Sequence, residues 1–165
     1  MRSWRRIFSI GVTAIVVGPA WNAVATTSTE FKLTASDATE ADNFGFSVDM
    51  DGDYAIVAAR TDDGPSAYIF FNQSGTTWIQ QAKLTASDAT AAEIFGESVS
   101  ISGEYAIVGA DQDNDNGTGS GSAYVFKRSG TTWTQQAKLT ASDATEGDRF
   151  GHSVSISGDY VIVGA

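Results

Sequence analysis

The chain repeats one pattern of residues along most of its length. The block Lys-Leu-Thr-Ala-Ser-Asp-Ala-Thr begins at Lys32, Lys83 and Lys138, so its copies are 51 and 55 residues apart. A Phe-Gly pair at 44–45 recurs at 95–96 and 150–151 with the same offsets. Internal periods of about 20–50 residues are typical of solenoids, propellers and arrays. The sequence therefore predicts one structural unit used several times.

Each repeat contains four segments with the features of β-strands. Phe46–Asp51 alternates apolar and polar residues, as a half-buried strand does. After a tight Asp-Gly-Asp turn, Tyr54–Ala59 is continuously apolar, which suits a strand buried on both faces. A third strand at Ala67–Phe71 and a more polar outer strand at Thr76–Leu84 follow. The corresponding segments of the next repeat are Glu97–Ser102, Tyr105–Ala110, Ala123–Phe126 and Thr131–Leu139.

Four antiparallel strands in each period of about 50 residues describe a blade of a β-propeller. A lone meander would leave an apolar face in water, whereas stacked blades cover both faces and leave only short edges. The predicted fold class is therefore all-β, with β-propeller blades of four antiparallel strands. An open β-solenoid array is the alternative.

The recurring motifs resemble the FG-GAP repeat, which builds the seven-bladed propeller at the N-terminus of integrin α-subunits. The Phe-Gly pairs are followed by Val57-Ala58-Ala59, Val108-Gly109-Ala110 and Val163-Gly164-Ala165. Arg60 and Asp111 stand where the family pattern usually has proline. Similar repeats occur in secreted bacterial proteins of mostly unassigned function. The resemblance implies a β-propeller with an integrin α-like architecture.

The number of repeats predicts an incomplete ring within this chain. The FG-GAP segment spans 26–165, with repeats at approximately 44–94, 95–149 and a truncated 150–165. Even a four-bladed ring needs about 200 residues at this period. Phe31–Thr34 matches the end of a fourth strand without the first three strands before it. We expect the ring to be completed by further blades or by self-association.

The N-terminal residues have the order of a secretory signal peptide over 1–25. Three arginines precede an apolar run, Ile7–Val17, and Ala23-Val24-Ala25 supplies a small-x-small cleavage pattern. The alternative is a membrane anchor, but the run is too short to cross about 30 Å of hydrocarbon. We expect cleavage after Ala25 and a secreted or cell-surface protein, with no membrane span after cleavage.

One loop has the composition of a metal site. Asp111, Asp113 and Asp115 alternate in a segment that ends at Asn116 and Gly117. Alternate oxygen ligands followed by glycine are how short loops bind Ca²⁺, although the spacing is not that of an EF-hand. Integrin-type repeats carry their calcium loop between the first and second strands, whereas this loop follows the second. It is either a weak calcium site formed by Asp111, Asp113, Asp115 and Asn116 or a solvated acidic loop.

The remaining candidate residues have structural interpretations. Trp78 and Trp133 could stack on sugars, but their identical place in each repeat favours packing. His152 takes the slot of Phe46 and Glu97 and could line a ligand site, although it has no partner in a known catalytic spacing.

These observations predict a non-catalytic module for adhesion or binding, with an extracellular protein or polysaccharide as partner. A net charge of −10 argues against a nucleic-acid partner. The alternatives are a propeller attached to an extracellular enzyme whose catalytic part lies elsewhere, and a purely structural surface array.

Overall fold

The computed structural model describes residues 14–17, 30–39, 42–60, 64–88 and 94–165. These residues form strands and turns, and none of them is helical. None of the described segments is a helix with the length and apolar character needed to span a bilayer. The strands are β1 (Ala14–Val17), β2 (Glu30–Leu33), β3 (Phe44–Asp51), β4 (Tyr54–Ala59), β5 (Ser66–Asn72), β6 (Trp78–Leu84), β7 (Ser98–Ser102), β8 (Tyr105–Ala110), β9 (Ser122–Ser129), β10 (Thr132–Leu139), β11 (Ser153–Ser157) and β12 (Tyr160–Gly164).

The strands form two complete blades and part of a third. Blade 1 has the order β3-β4-β5-β6 and blade 2 the order β7-β8-β9-β10, and every pairing in them is antiparallel. Blade 3 contains β11 and β12. The predicted all-β fold of four-stranded blades in an unclosed ring is confirmed.

The apolar strands β4 and β8 explain why the blades must stack. In β4, Ile56 and Ala58 join the core between blades 1 and 2, while Ala55 and Val57 join a core on the opposite face of blade 1. A strand buried on both faces cannot alternate in polarity, so its sequence reads as a continuous apolar run. In blade 2, Ile107 belongs to the core shared with blade 3.

Hydrogen bonds from side chains link the first strands of successive blades. Asp49 of β3 accepts hydrogen bonds from the Ser100 hydroxyl at 2.7 Å and from the Ile101 amide at 2.9 Å. Ser100 in turn accepts a hydrogen bond from the Ile156 amide at 3.3 Å. The repeat therefore fixes the relative position of the blades through polar as well as apolar contacts.

Apolar side chains are exposed at both ends of the stack. Phe46, Val48 and Met50 of β3 are exposed on the outer face of blade 1, and Tyr160 and Ile162 are exposed on blade 3. The same positions at the internal boundaries are mostly buried, as Val99 and Ile101 show in β7. Among the described residues, the exposed end faces thus correspond to blade-to-blade surfaces that no neighbouring blade covers.

The N-terminal strand pair lies beside blade 1. β1 pairs with β2 in antiparallel register from Ala14↔Leu33 to Val17↔Glu30, and Leu33 and Ala35 enter the core on the outer side of blade 1. The predicted signal peptide at 1–25 lies outside the described residues except for β1. Its cleavage after Ala25 stays a prediction.

Candidate functional site

The long connection between β8 and β9 holds all four predicted calcium ligands, and it is fixed to the entry of blade 3. The amides of Gly147, Arg149 and Phe150 donate to the carbonyls of Thr118, Gly119 and Ser120 at 3.0, 2.9 and 2.9 Å. The connection and the segment between blades 2 and 3 therefore form one surface. The strands of every blade are connected at two opposite sides of the stack, which are different from its exposed end faces. We call the side that carries these long connections the loop end, and the side that carries the short turns the turn end.

Asp113 is fully buried, and its carboxylate accepts hydrogen bonds from several neighbouring donors. Its Oδ2 accepts from the Ser122 hydroxyl and from the Tyr124 hydroxyl, each at 2.9 Å, and lies 2.8 Å from Lys138 Nζ. Burial of this carboxylate is tolerated because donors and an opposite charge surround it. Asp113 is consequently a structural anchor for the loop.

Lys138 is the centre of an acidic cluster. Its Nζ lies 2.8 Å from Asp88, 2.8 Å from Asp113 and 2.6 Å from Asp115. It also lies over the ring of Tyr124, 5.3 Å from the centroid. The ammonium group therefore stands among three carboxylates and offsets part of their charge.

The pKa shifts of Lys138 and Asp113 agree with an ion pair between them. Partial burial acts to lower the pKa of Lys138, but its hydrogen bonds to Asp113, Asp115 and Asp88 raise that pKa above its ordinary value. Burial acts to raise the pKa of Asp113, yet the hydrogen bond from Lys138 leaves it lowered. Burial raises the pKa of the Tyr124 hydroxyl, which keeps it protonated as a donor. Three carboxylates face one ammonium group in this cluster.

The structure divides the predicted calcium ligands between two places. Asp113 and Asp115 meet at Lys138, whereas Asp111 is fully buried beside Arg149 and His152. Asn116 is exposed, and its backbone amide donates to the Ser120 hydroxyl at 3.3 Å. Calcium binding by this loop stays a prediction.

His152 has partners that inspection of its neighbours in sequence could not identify. Its Nδ1 lies 3.4 Å from Asp111 Oδ2 and 3.6 Å from Glu97 Oε1. These residues come from three separate segments, just before β7, just after β8 and just before β11. The signal that could have found them is the repeat register, which places Glu97 and His152 in the same slot of successive blades.

Both tryptophans at equivalent repeat positions pack against protein. Trp133 is buried, and its Nε1 donates to Gln81 Oε1 of blade 1 at 2.9 Å. Its ring also lies edge-on to Tyr54, 6.4 Å between centroids. Trp78 packs against the core on the outer side of blade 1. These contacts agree with the packing interpretation.

A sequence model of the FG-GAP repeat matches the chain at three places, residues 27–70, 78–126 and 133–165. The second match runs from β6 to β9 and the third from β10 to β12, so each begins with the outer strand of one blade and continues into the next. A search of curated proteins found no match.

Proposed function

The chain belongs to the FG-GAP repeat family, and from that membership we propose that it is a non-catalytic binding module outside the cell or at its surface. FG-GAP repeats are typically extracellular modules for adhesion or binding, and domains built from them are generally non-catalytic. The proposed partner is an extracellular protein or polysaccharide. The observation that carries this proposal is the recurrence of the family pattern at three places in the chain.

We place the binding surface at the loop end of the stack. Binding residues occur preferentially in loops that a rigid scaffold positions. The connection from Asp111 to Gly121 is long, and its backbone is fixed to 147–150 by hydrogen bonds. By contrast, β3–β4, β7–β8 and β11–β12 are joined by two-residue turns, which offer little surface.

Binding to intact cells tests this proposal. The fluorescently labelled chain is incubated with cells that are untreated, treated with protease or treated with glycosidases. Loss of binding after protease treatment indicates a protein partner, and loss after glycosidase treatment indicates a polysaccharide. Binding no greater than that of the heat-unfolded chain in every case would contradict the proposal.

Paired variants test the location of the binding surface. Asn116→Ala with Thr118→Ala changes exposed side chains at the loop end, and Ser74→Ala with Thr76→Ala changes exposed side chains at the turn end. We expect the first pair to weaken cell binding and the second to leave it unchanged. The reverse result would move the surface to the turn end.

Export is a separate part of the proposal. The basic, apolar and small-residue order of 1–25 supports a leader that is removed after Ala25. N-terminal sequencing of the protein recovered from the medium of an expressing cell should begin at Thr26. Recovery of uncleaved protein in the cell alone would contradict export.

A further inference from the structure

Three side chains with metal-binding groups meet at the boundary between blades 2 and 3. Glu97, Asp111 and His152 each offer one ligand atom, and these atoms all lie within 4.8 Å of one another. The imidazole Nδ1 is 3.4 Å from Asp111 Oδ2 and 3.6 Å from Glu97 Oε1. The group is separate from the Lys138 cluster, although the loop that begins at Asp111 contributes to both.

The equivalent place one boundary earlier has its own cation. The repeat offsets make Phe46, Arg60 and Glu97 the counterparts of Glu97, Asp111 and His152. There, the Arg60 guanidinium lies over the Phe46 ring at 4.6 Å, and Arg60 Nε lies 3.2 Å from Glu97 Oε2. At the boundary between blades 2 and 3, an aspartate replaces the central arginine, so a second acid faces Glu97.

The Asp111 carboxylate keeps unused binding capacity. Asp111 Oδ1 is buried and has no hydrogen-bond partner in the part of the chain that the structure describes, whereas Glu97 Oε2 faces Arg60 Nε at 3.2 Å. The side chains of Asp111 and Glu97 are 0% and 9% exposed. A buried acceptor without a donor is costly, and a cation bound by the Asp111 carboxylate would reduce that cost.

We propose that Glu97, Asp111 and His152 bind a divalent transition-metal ion of the Zn²⁺ type, with water completing the coordination. A mixed set of imidazole and carboxylate ligands suits such ions, whereas Ca²⁺ and Mg²⁺ prefer oxygen ligands alone. Two ligand atoms about 2.0–2.1 Å from a tetrahedral ion lie about 3.4 Å apart. The two distances from His152 Nδ1 are close to that separation.

Arg149 competes with the ion in this site. Its guanidinium is paired with Asp111 Oδ2, the oxygen nearest to His152. The Arg149 side chain is 46% exposed, so it can rotate into solvent when an ion binds. Because the ligands come from blades 2 and 3, the bound ion would connect the two blades.

Zinc titration of the full chain tests the proposal, and His152 is the only histidine in the sequence. Addition of ZnCl₂ should shift the single set of imidazole NMR signals and saturate at about one ion per chain. Co²⁺ should give the visible absorption of a tetrahedral site. His152→Phe and Asp111→Arg introduce the residues that blade 1 has in the same slots, and each should weaken zinc binding by at least about tenfold.

Two further variants separate this site from others. Arg149→Gln removes the competing guanidinium and should strengthen zinc binding, whereas Asp115→Asn removes an acid of the Lys138 cluster and should leave zinc affinity unchanged. Unchanged zinc affinity in His152→Phe would overturn the proposal. The proposal would also be overturned if Arg149→Gln weakened zinc binding as much as Asp111→Arg does. That result would mean that the cluster is only an ion pair.

Discussion

The carbonyl oxygen of Gly151 lies 1.9 Å from the point that a Cβ atom on Gly109 would occupy. Gly151 belongs to the Phe-Gly pair that enters blade 3, and Gly109 belongs to the Gly-Ala pair of β8 in blade 2. Gly151 also has a φ of +93°, and its own Cβ would lie 2.1 Å from the Ser122 carbonyl oxygen. The Phe-Gly pair that enters blade 3 therefore contacts the Gly-Ala pair of blade 2, so the two parts of the repeated motif meet between successive blades.

This contact predicts that Gly109→Ala destabilises the stack. The added methyl group meets backbone atoms that cannot rotate away, and overpacking of this kind costs about 1–3 kcal/mol. Gly158→Ala is the matched control, because its φ is +55° and nothing lies within 4 Å of the added Cβ. Gly158→Ala should lower the free energy of unfolding by only about 1 kcal/mol, because alanine disfavours the left-handed backbone conformation. Urea unfolding measures both, and equal costs would contradict the role of the Gly109–Gly151 contact.

The repeat register made much of the fold predictable. The sequence places the second strands at Tyr54–Ala59 and Tyr105–Ala110, and the structure has the same bounds. These strands are recognisable because burial on both faces removes polar residues from them. The first, third and fourth strands differ from the predictions by one to three residues at their ends, where hydrogen bonds and not side-chain polarity define the limits.

The site was less predictable because its contacts join residues that are distant in sequence, within one blade or between two blades. Asp113 was recognisable as a loop acid, but its Lys138 partner lies in the outer strand of the blade. Glu97 and His152 are 55 residues apart in sequence and meet only when two blades stack. A period shows which positions are equivalent, whereas the distance between them depends on how the blades are set against each other.

Calcium should bind more readily when the Lys138 ammonium group is removed. Lys138→Met leaves Asp88, Asp113 and Asp115 without their shared cation, and loss of one partner of a buried ion pair costs about 3–5 kcal/mol. Millimolar Ca²⁺ should restore part of that stability, because a ligand that binds the folded state stabilises it. The measurement is thermal unfolding with and without calcium.

Lys127→Met is the matched control for this prediction. Lys127 lies over the Tyr105 ring at 5.2 Å and has no place in the acidic cluster. Calcium should raise the melting temperature of Lys138→Met more than that of Lys127→Met or the unchanged chain. Equal calcium responses in the two variants would show that the cluster does not hold the ion.

The ion pair between Asp37 and Lys83 should make stability depend on pH. The hydrogen bond from Lys83 Nζ, at 2.7 Å, lowers the pKa of Asp37 below its usual value of 3.8. The pair therefore stabilises the folded chain above that usual value and loses its effect as pH falls through the lowered pKa. Because Asp37 is nearly half exposed, Asp37→Asn should cost only about 0.5 kcal/mol at neutral pH.

Urea unfolding of the unchanged chain and of Asp37→Asn measures this effect at neutral pH and well below the usual pKa of an aspartate. The difference in unfolding free energy should shrink towards zero in acid. A difference that stays constant with pH would assign the cost to packing of the side chain instead of to its charge.

The end faces of the stack predict concentration-dependent self-association of this chain. Ile107 and Ile162 occupy the same position in successive repeats, but Ile107 is 0% exposed and Ile162 is 71% exposed. Met50, on the opposite end face, is also half exposed. The two end faces correspond to the two opposite faces of a blade, so one end face of a copy can contact the other end face of the next copy. Such a head-to-tail contact can repeat from copy to copy and does not form a closed dimer.

Sedimentation velocity over a range of concentrations checks this prediction. Ile162→Lys and Met50→Lys each place a charge on one end face and should shift the chain towards monomer, because an unpaired charge is costly to bury. Ile79→Lys changes an isoleucine of β6 that is 41% exposed but lies outside both end faces, and it should leave the distribution unchanged. An unchanged chain that remains monomeric at every concentration would contradict stacking through the end faces. Equal effects of all three lysines would indicate non-specific apolar association instead.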